Sequence, residues 1–328
     1  MLDDAVLVDD WHVVARADDV PDGRPIGVRL LDEDLVLWRA GDRVHAWRDL
    51  CIHRGSRLSL GSVQDATLAC AYHGWTYGED GRCVRFPAHT DQRPPATARV
   101  TVYQAVQRYG WVWVSLGSPA HDVPLFEQWD DPAFRKVHCG PYTVRASGPR
   151  VIENFLDVTH FPFVHQGLLG DPAHPEVSDY AAEVGPEGVT ARDISVWQPD
   201  PDGLGQGATV TYTYRVPRPL TAGFVKTSTG PRFAMYFTVT PVDELCSIAW
   251  MYVAMDYGDM SDERVRAFQD EIISQDIPVV ESQRPELLPL DLQVELHLRS
   301  DRTAIAYRRW LDRLGVSVGT LRRRAEGV

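Results

Sequence analysis

Cys51-Ile52-His53-Arg54-Gly55 and Cys70-Ala71-Tyr72-His73-Gly74-Trp75 decide how this chain is read. Each stretch offers one thiolate and one imidazole, and sixteen residues separate His53 from Cys70. Two thiolates on one iron and two imidazoles on the other make the ligand set of a mixed [2Fe–2S] cluster. Its neutral imidazoles raise the potential above that of an all-cysteine centre. The glycine after each region lets backbone N–H groups approach bridging sulfides, and Trp75 is bulky enough to exclude water. A tetrahedral zinc site uses the same four donors. Zinc knuckles usually keep cysteines together and histidines together, whereas both pairs here are mixed and one has a single residue between its members. The spacing favours the cluster.

A centre of this kind, the Rieske type, only moves electrons, so the rest of the chain must say what they are for. The 328 residues suffice for two domains, and 44% hydrophobic with 24% charged residues is an ordinary globular composition. No apolar run reaches the roughly 18 residues that a membrane helix requires. The first residues, MLDDAVLVDDW, are acidic and lack a signal-peptide core, so a cytoplasmic protein is expected. A net charge of −13 argues against nucleic acid as a partner. Lys136 and Lys226 are the two lysines; nearly all positive charge is arginine. Arg54 and Arg57, beside His53, form a candidate basic patch for an acidic electron donor, or are simply solvated. Cys83, Cys139 and Cys246 are too scattered for a disulfide framework and read as small apolar residues.

The fold class expected is α+β. Up to about residue 120, short strands alternate with turns, as in 34–43, 67–71 and 110–116, which suits an all-β domain over residues 1–140. A proline-rich connection, Pro119, Pro124 and Pro132, leads to a boundary near Pro141 and a second domain over residues 141–328. There, 150–160 reads as a helix, interrupted by Pro162. Period-two stretches at 208–215, 232–239 and 247–255 read as half-buried antiparallel strands. Residues 262–275 read as an amphipathic helix with Val265, Phe268, Ile272 and Ile273 on one side, and a last helix covers 303–314.

His160 and His165 stand five apart with Pro162 between them. On a regular helix five residues turn about 500°, so the rings would diverge. A break at Pro162 lets both aim at one point. With a carboxylate they would complete a 2-His-1-carboxylate triad, which holds Fe(II) and leaves neighbouring positions open for O2. Asp276, at the end of the 262–275 helix and just before Ile277-Pro278, is the leading candidate, with Asp270, Glu271 and Glu281 as alternatives. Asp157, three residues before His160, can accept the outer N–H of that ring, or is an ordinary solvent-facing residue.

These motifs together, Cys51-x-His53, Cys70-x2-His73, Asn154-x2-Asp157-x2-His160-x4-His165 and Gln275-Asp276-Ile277-Pro278, resemble the catalytic (α) subunit of the Rieske non-heme iron oxygenases over nearly the whole chain. The likeness is to the α-only monooxygenases: vanillate- and dicamba-type O-demethylases and, through Ser300-Asp301-Arg302 and Ala306-Tyr307-Arg308-Arg309-Trp310-Leu311, the saxitoxin-pathway hydroxylases. The resemblance implies a helix-grip catalytic domain and a head-to-tail homotrimer in which Asp157 links His160 of one chain to His73 of the next. It implies Asp276 as third ligand, with Asn154 near the iron. It also implies electrons from NAD(P)H through a flavin reductase or ferredoxin, and O2 spent on hydroxylating or demethylating a small organic substrate. Two other readings are a cis-dihydroxylating dioxygenase with the same metals and an electron carrier without chemistry of its own. Tyr212, Tyr236, Trp250 and Tyr252 are expected among the pocket walls, and aromatic walls would suit an aromatic or polycyclic substrate.

Overall fold

The computed structural model describes residues 2–228, 230, 232–258 and 260–322. Two compact units divide the chain, Met1–Val123 and Pro124–Val328. The boundary expected near Pro141 falls inside a strand, Arg135–Val144, which pairs antiparallel with Ser247–Met255. Residues 124–140 therefore go with the second unit: a strand belongs to the sheet that satisfies its backbone.

In the first unit a six-stranded antiparallel sheet runs in the order His12–Arg16, Trp111–Ser115, Val102–Arg108, Arg43–Arg48, Glu33–Ala40, Ile26–Leu30. The unbroken apolar run Trp111-Val112-Trp113-Val114 is wholly buried, as a strand covered on both faces should be. A second, four-stranded sheet is formed by Ser62–Gln64, Thr67–Ala69, Thr76–Gly78 and Cys83–Arg85. Trp38, Trp47, Leu58, Leu68 and Tyr77 pack with Cys51, Cys70 and Cys83 in one apolar cluster beneath the two motif loops.

The second unit is a seven-stranded antiparallel sheet, in the order Arg135–Val144, Ser247–Met255, Arg232–Pro241, Thr221–Thr227, Ala208–Arg218, Gly188–Gln198, Ala181–Gly185. The three stretches predicted from alternation are all strands of it. Helix Asp262–Ser282 packs along Arg135–Val144, and helix Gly148–Leu156 along Arg232–Pro241. The last helix is Arg302–Leu314, closed by Gly315 in the left-handed region at φ 89°.

The long helix differs from expectation: it runs through Pro278 to Ser282 instead of stopping near Asp276. Proline removes the N–H that would reach the Ser274 carbonyl. The final turn is held from outside, because Glu281 Oε1 accepts a 2.9 Å hydrogen bond from Arg145 N and Val280 is buried. The predicted 150–160 helix also ends early, at Leu156, with Asp157 extended at φ −88°, ψ 126°. No helix among the described residues is long and apolar enough to cross a membrane.

Candidate metal centres

The two motif loops of the first unit are built alike. Gly55 N donates to Cys51 O and Gly74 N to Cys70 O, both at 2.9 Å, and the glycines sit at φ 70° and 67°. That left-handed turn is where glycine is needed, since a Cβ there is strained. Cys51 and Cys70 are buried while His73 is exposed and His53 half-buried, so thiols point inward and imidazoles outward. The rings of His53 and His73 are 4.5 Å apart, and Trp75 stacks on His53 at 4.3 Å with its back to Phe86. Burial, then the neighbouring His73 and Arg54, pushes His53 below the usual imidazole range, which favours the neutral, ligating form. Tyr77 OH stands 3.1 Å from Cys51 Sγ. Burial and the adjacent thiol push the phenol up, so it keeps its proton and faces the sulfur as a donor.

Two observations fit a two-iron cluster here. His53 Nδ1 is buried without a hydrogen-bond partner among the described residues, as a metal-facing nitrogen would be. And no three of the four donors lie within 4.8 Å of one another, the closeness one tetrahedral ion requires. A core of two irons and two sulfides is larger and tolerates that spread. The neighbouring basic patch is partly spent, since Arg57 pairs with Asp34 at 2.8 Å.

The second centre is assembled by a broken helix. After Leu156 the chain is turned by Asp157, whose Oδ1 accepts from Thr159 N at 2.7 Å and Thr159 Oγ1 at 2.6 Å. A new turn, Phe161–Val164, then begins, with Pro162 in its first positions, where a missing N–H costs nothing. Pro162 thus opens a turn rather than interrupting one. His160 and His165 cap its two ends, which brings their Nε2 atoms to 3.2 Å. Gly170 packs beneath: a Cβ there would meet Pro162 N at 2.6 Å and Phe161 C at 2.8 Å.

Asp276 Oδ1 lies 3.4 Å from His160 Nε2 and 3.2 Å from His165 Nε2. Two donors each about 2.1 Å from one ion and at right angles to it stand about 3.0 Å apart, so the three atoms fit one face of an octahedral ion. This is the one trio of such groups among the described residues with donors all within 4.8 Å. The alternatives lie elsewhere: Asp270 accepts from Tyr142 OH at 2.8 Å, Glu281 from Arg145 N, and Glu271 is on the exposed side of the helix. Asp276 sits on the buried stripe Val265, Gln269, Ile272, Val280 of its helix. An aspartate at a core position of an amphipathic helix is a signal the sequence carried.

Around the trio, Asn154 Nδ2 reaches Asp276 Oδ1 at 3.4 Å and Asp157 Oδ2 faces His160 Nδ1 at 3.4 Å. Burial works against the Asp157 carboxylate, but His160 and the Thr159 donors outweigh it and hold its pKa down. Gln275 had no role in the sequence reading. Its Oε1 is 2.7 Å from His165 Nδ1. Burial disfavours a charged His165, yet Asp276 and Gln275 more than compensate and push it up.

The trio opens into a cavity of about 380 Å³ walled by Phe155, Phe161, Tyr212, Phe224, Phe237 and Met251, among others. Of four aromatic walls expected, Tyr212 alone lines it. Tyr236 OH is bonded to Pro124 O at 2.9 Å, Trp250 Nε1 to Thr240 Oγ1 at 3.0 Å, and Tyr252 packs on Trp129. On those two strands the cavity takes the other face: Phe233, Met235 and Phe237, with Ala249, Met251 and Met255. Alternation gives two faces but not which is inside.

Fold and site together define the catalytic subunit of an oxygenase that joins a Rieske cluster to a mononuclear non-heme metal site. Residues 10–105 match the Rieske [2Fe-2S] domain and residues 144–317 the vanillate O-demethylase oxygenase C-terminal domain. The chain belongs to that family of Rieske non-heme iron oxygenases and is an oxidoreductase. It is 33% identical over 316 residues to methylxanthine N1-demethylase NdmA of Pseudomonas putida, covering 93% of this chain and 88% of the relative. The vanillate O-demethylase oxygenase subunit of Pseudomonas sp. (strain HR199 / DSM 7063) is 26% identical over 336 residues, 93% of each chain. The structure of Pseudomonas putida CBB5 NdmA with caffeine superposes with a TM-score of 0.83 at 32% identity, covering 94% of this chain and 90% of that one.

Proposed function

We propose that this chain is the oxygenase component of an oxidative demethylase acting on a small methoxy- or N-methyl-substituted aromatic. Cys51, His53, Cys70 and His73 would hold the [2Fe–2S] cluster, and His160, His165 and Asp276 a single Fe(II). The observation that carries the reading is the convergence of those three donors at 3.2–3.4 Å on the wall of an aromatic cavity. Its volume suits a ligand of one or two fused rings. When bound, the two metal groups supply stored electrons and the reductive activation of O2.

The chain's own residues do the rest. Gln275 orients the His165 ring, and Asp276 closes the trio from the long helix. The apolar walls exclude water and lay a flat ring beside the trio. Asp157 holds His160 from its outer side; with its side chain 37% exposed, it is also free to accept from His73 of a second copy, as the family resemblance and a homotrimer imply. Electrons would come from NAD(P)H through a flavin reductase or ferredoxin. In the net reaction one oxygen atom enters a methyl C–H bond and the other leaves as water; the hydroxymethyl product then loses formaldehyde.

The test is turnover of metal-loaded protein with a surrogate reductase on methoxybenzoates and methylxanthines. Formaldehyde formed in step with O2 consumed supports the reading. A cis-diol product, or no O2 uptake on any substrate, sinks it.

A further inference from the structure

Arg135, Asp200, Asp202 and Lys226 are the charged side chains of the cavity that metal binding does not explain, and of these Lys226 alone is buried. Lys226 lies on Thr221–Thr227, paired in register with Tyr212 on one neighbouring strand and Phe233 on the other. It is 8% exposed, and its ammonium sits 5.1 Å over the Phe233 ring. It faces the same cavity as the trio. Buried ammonium groups normally have a carboxylate partner. Among the described residues this one has none: Nζ donates to Pro201 O at 2.7 Å and to Gln198 Oε1 at 3.4 Å. The nearby carboxylates, Asp202 and Asp200, act on it only across a distance, and accept instead from Ser228 Oγ at 3.0 Å and Gly205 N at 2.8 Å.

The hydrogen-bonding capacity left over has one sign. An ammonium carries three donors, and two are used. Gln198 spends its amide N–H groups on Tyr212 OH at 3.0 Å and Leu169 O at 3.3 Å. Tyr212 therefore accepts from Gln198, and its own O–H has no acceptor among the described residues. Burial pushes that phenol up, so the proton stays on. One N–H of Lys226 and the O–H of Tyr212 remain to be satisfied on this wall of a largely apolar chamber. The missing partner is an acceptor oxygen, and an ammonium with no carboxylate in direct contact favours an anionic one.

We propose that Lys226, with Tyr212 and positioned by Gln198, is the recognition point for an ionised oxygen on the substrate, such as an aromatic carboxylate, and so sets which aromatics this enzyme accepts. The inference rests on the function proposed above and narrows its substrate class. Burial, against the favourable pull of Asp202 and Asp200, lowers the lysine to about 8, so it is charged at neutral pH and its charge is available to a ligand. The groups facing it are Asp200, Asp202, Tyr212 and Tyr257.

The test compares 3-methoxybenzoate with neutral 3-methoxybenzamide on the metal-loaded enzyme, by calorimetric binding and by reductase-coupled O2 uptake. The wild type should bind the anion at least about tenfold more tightly than the amide, as a hydrogen bond to a charged group warrants. Lys226→Met should abolish that preference by weakening anion binding, while amide binding and iron content stay put. Tyr212→Phe should weaken the anion less. If Lys226→Met does not fold, the wild type suffices: anion affinity should fall above pH 8 while amide affinity does not. A wild type without preference for the anion overturns the proposal, as does an undiminished preference in Lys226→Met. Charge-selective binding without O2 uptake would keep the recognition site and defeat the demethylase reading. O2 uptake with equal use of amide and anion would do the reverse.

Discussion

Gln275 Oε1 meets His165 Nδ1 at 2.7 Å while the next residue, Asp276, meets the same ring at Nε2, 3.2 Å away. One helix therefore grips both nitrogens of one imidazole through successive residues. The amide oxygen accepts from Nδ1–H and leaves Nε2 as the lone-pair nitrogen, the tautomer a metal needs.

Gln275→Leu should keep the trio but lose the tautomer control. Iron affinity should fall by about 10–100-fold, the usual penalty for removing such a support. Iron titration followed beside the visible spectrum of the cluster checks this. Unchanged iron affinity would leave Gln275 as packing.

Gly170→Ala puts a methyl group within 2.8 Å of the Phe161–Pro162 backbone. Nothing flexible there can yield, so the turn carrying both histidines must move. A loss of about 1–3 kcal/mol in stability is expected, with iron content reduced and the cluster spectrum intact. Thermal denaturation and metal analysis read both; full iron content would show that the turn adapts.

Asp157→Asn should retain both metals and turn over slowly, because the carboxylate is placed outside the trio, 3.4 Å behind His160. His160→Ala should lose the mononuclear iron alone. Iron per chain and single-turnover electron transfer separate the two variants. Wild-type transfer rates in Asp157→Asn would remove it from the electron path.

Tyr77→Phe deletes the phenol that faces Cys51 Sγ at 3.1 Å. A donor to the thiolate favours the reduced cluster, so its loss should lower the midpoint potential. A differential of about 1 kcal/mol corresponds to roughly 40 mV for one electron. Voltammetry of the purified protein measures it, and an unmoved potential would mean the contact is not a hydrogen bond.

Lys226 also predicts how stability varies with pH. Its pKa falls from 10.5 in an exposed lysine to about 8 here. Between these values the unfolded chain holds a proton that the folded chain has released, so raising the pH through this window favours folding. The gain is at most about 3 kcal/mol from this one group. Denaturant unfolding at pH 7.5 and 10 should show a smaller rise for Lys226→Met than for the wild type; equal slopes would place the titration elsewhere.

What the sequence disclosed follows from how narrowly chemistry restricts each residue. Ligand types are few, so the Cys–His loops and His160–His165 stood out, and Asp276, which the structure brings beside them, was singled out from a helix end that lies a turn and a half further on. Strand alternation located the sheet but assigned Tyr236, Trp250 and Tyr252 to the wrong side, since hydrophobicity alone does not label a face when both are covered. Gln275 stood out only as the neighbour of Asp276, and Gly170 and Gln198 were silent, because the packing of Gly170 under Pro162 and the bonds of Gln275 and Gln198 exist only once the chain has folded. Lys226 did carry a trace: one of two lysines in the chain, in a strand after Phe224-Val225, which exposure would have excused and burial does not.

The two faces of strands Arg232–Pro241 and Ser247–Met255 have separate duties, with odd-numbered positions at the cavity and Tyr236, Trp250 and Tyr252 tied into the domain body. Exchanges at 233, 235, 237, 249, 251 or 255 can remodel the chamber without disturbing His160, His165 or Asp276, which come from the short turn and the long helix. Such a layout lets a lineage try new molecules one side chain at a time while its oxygen chemistry is inherited whole.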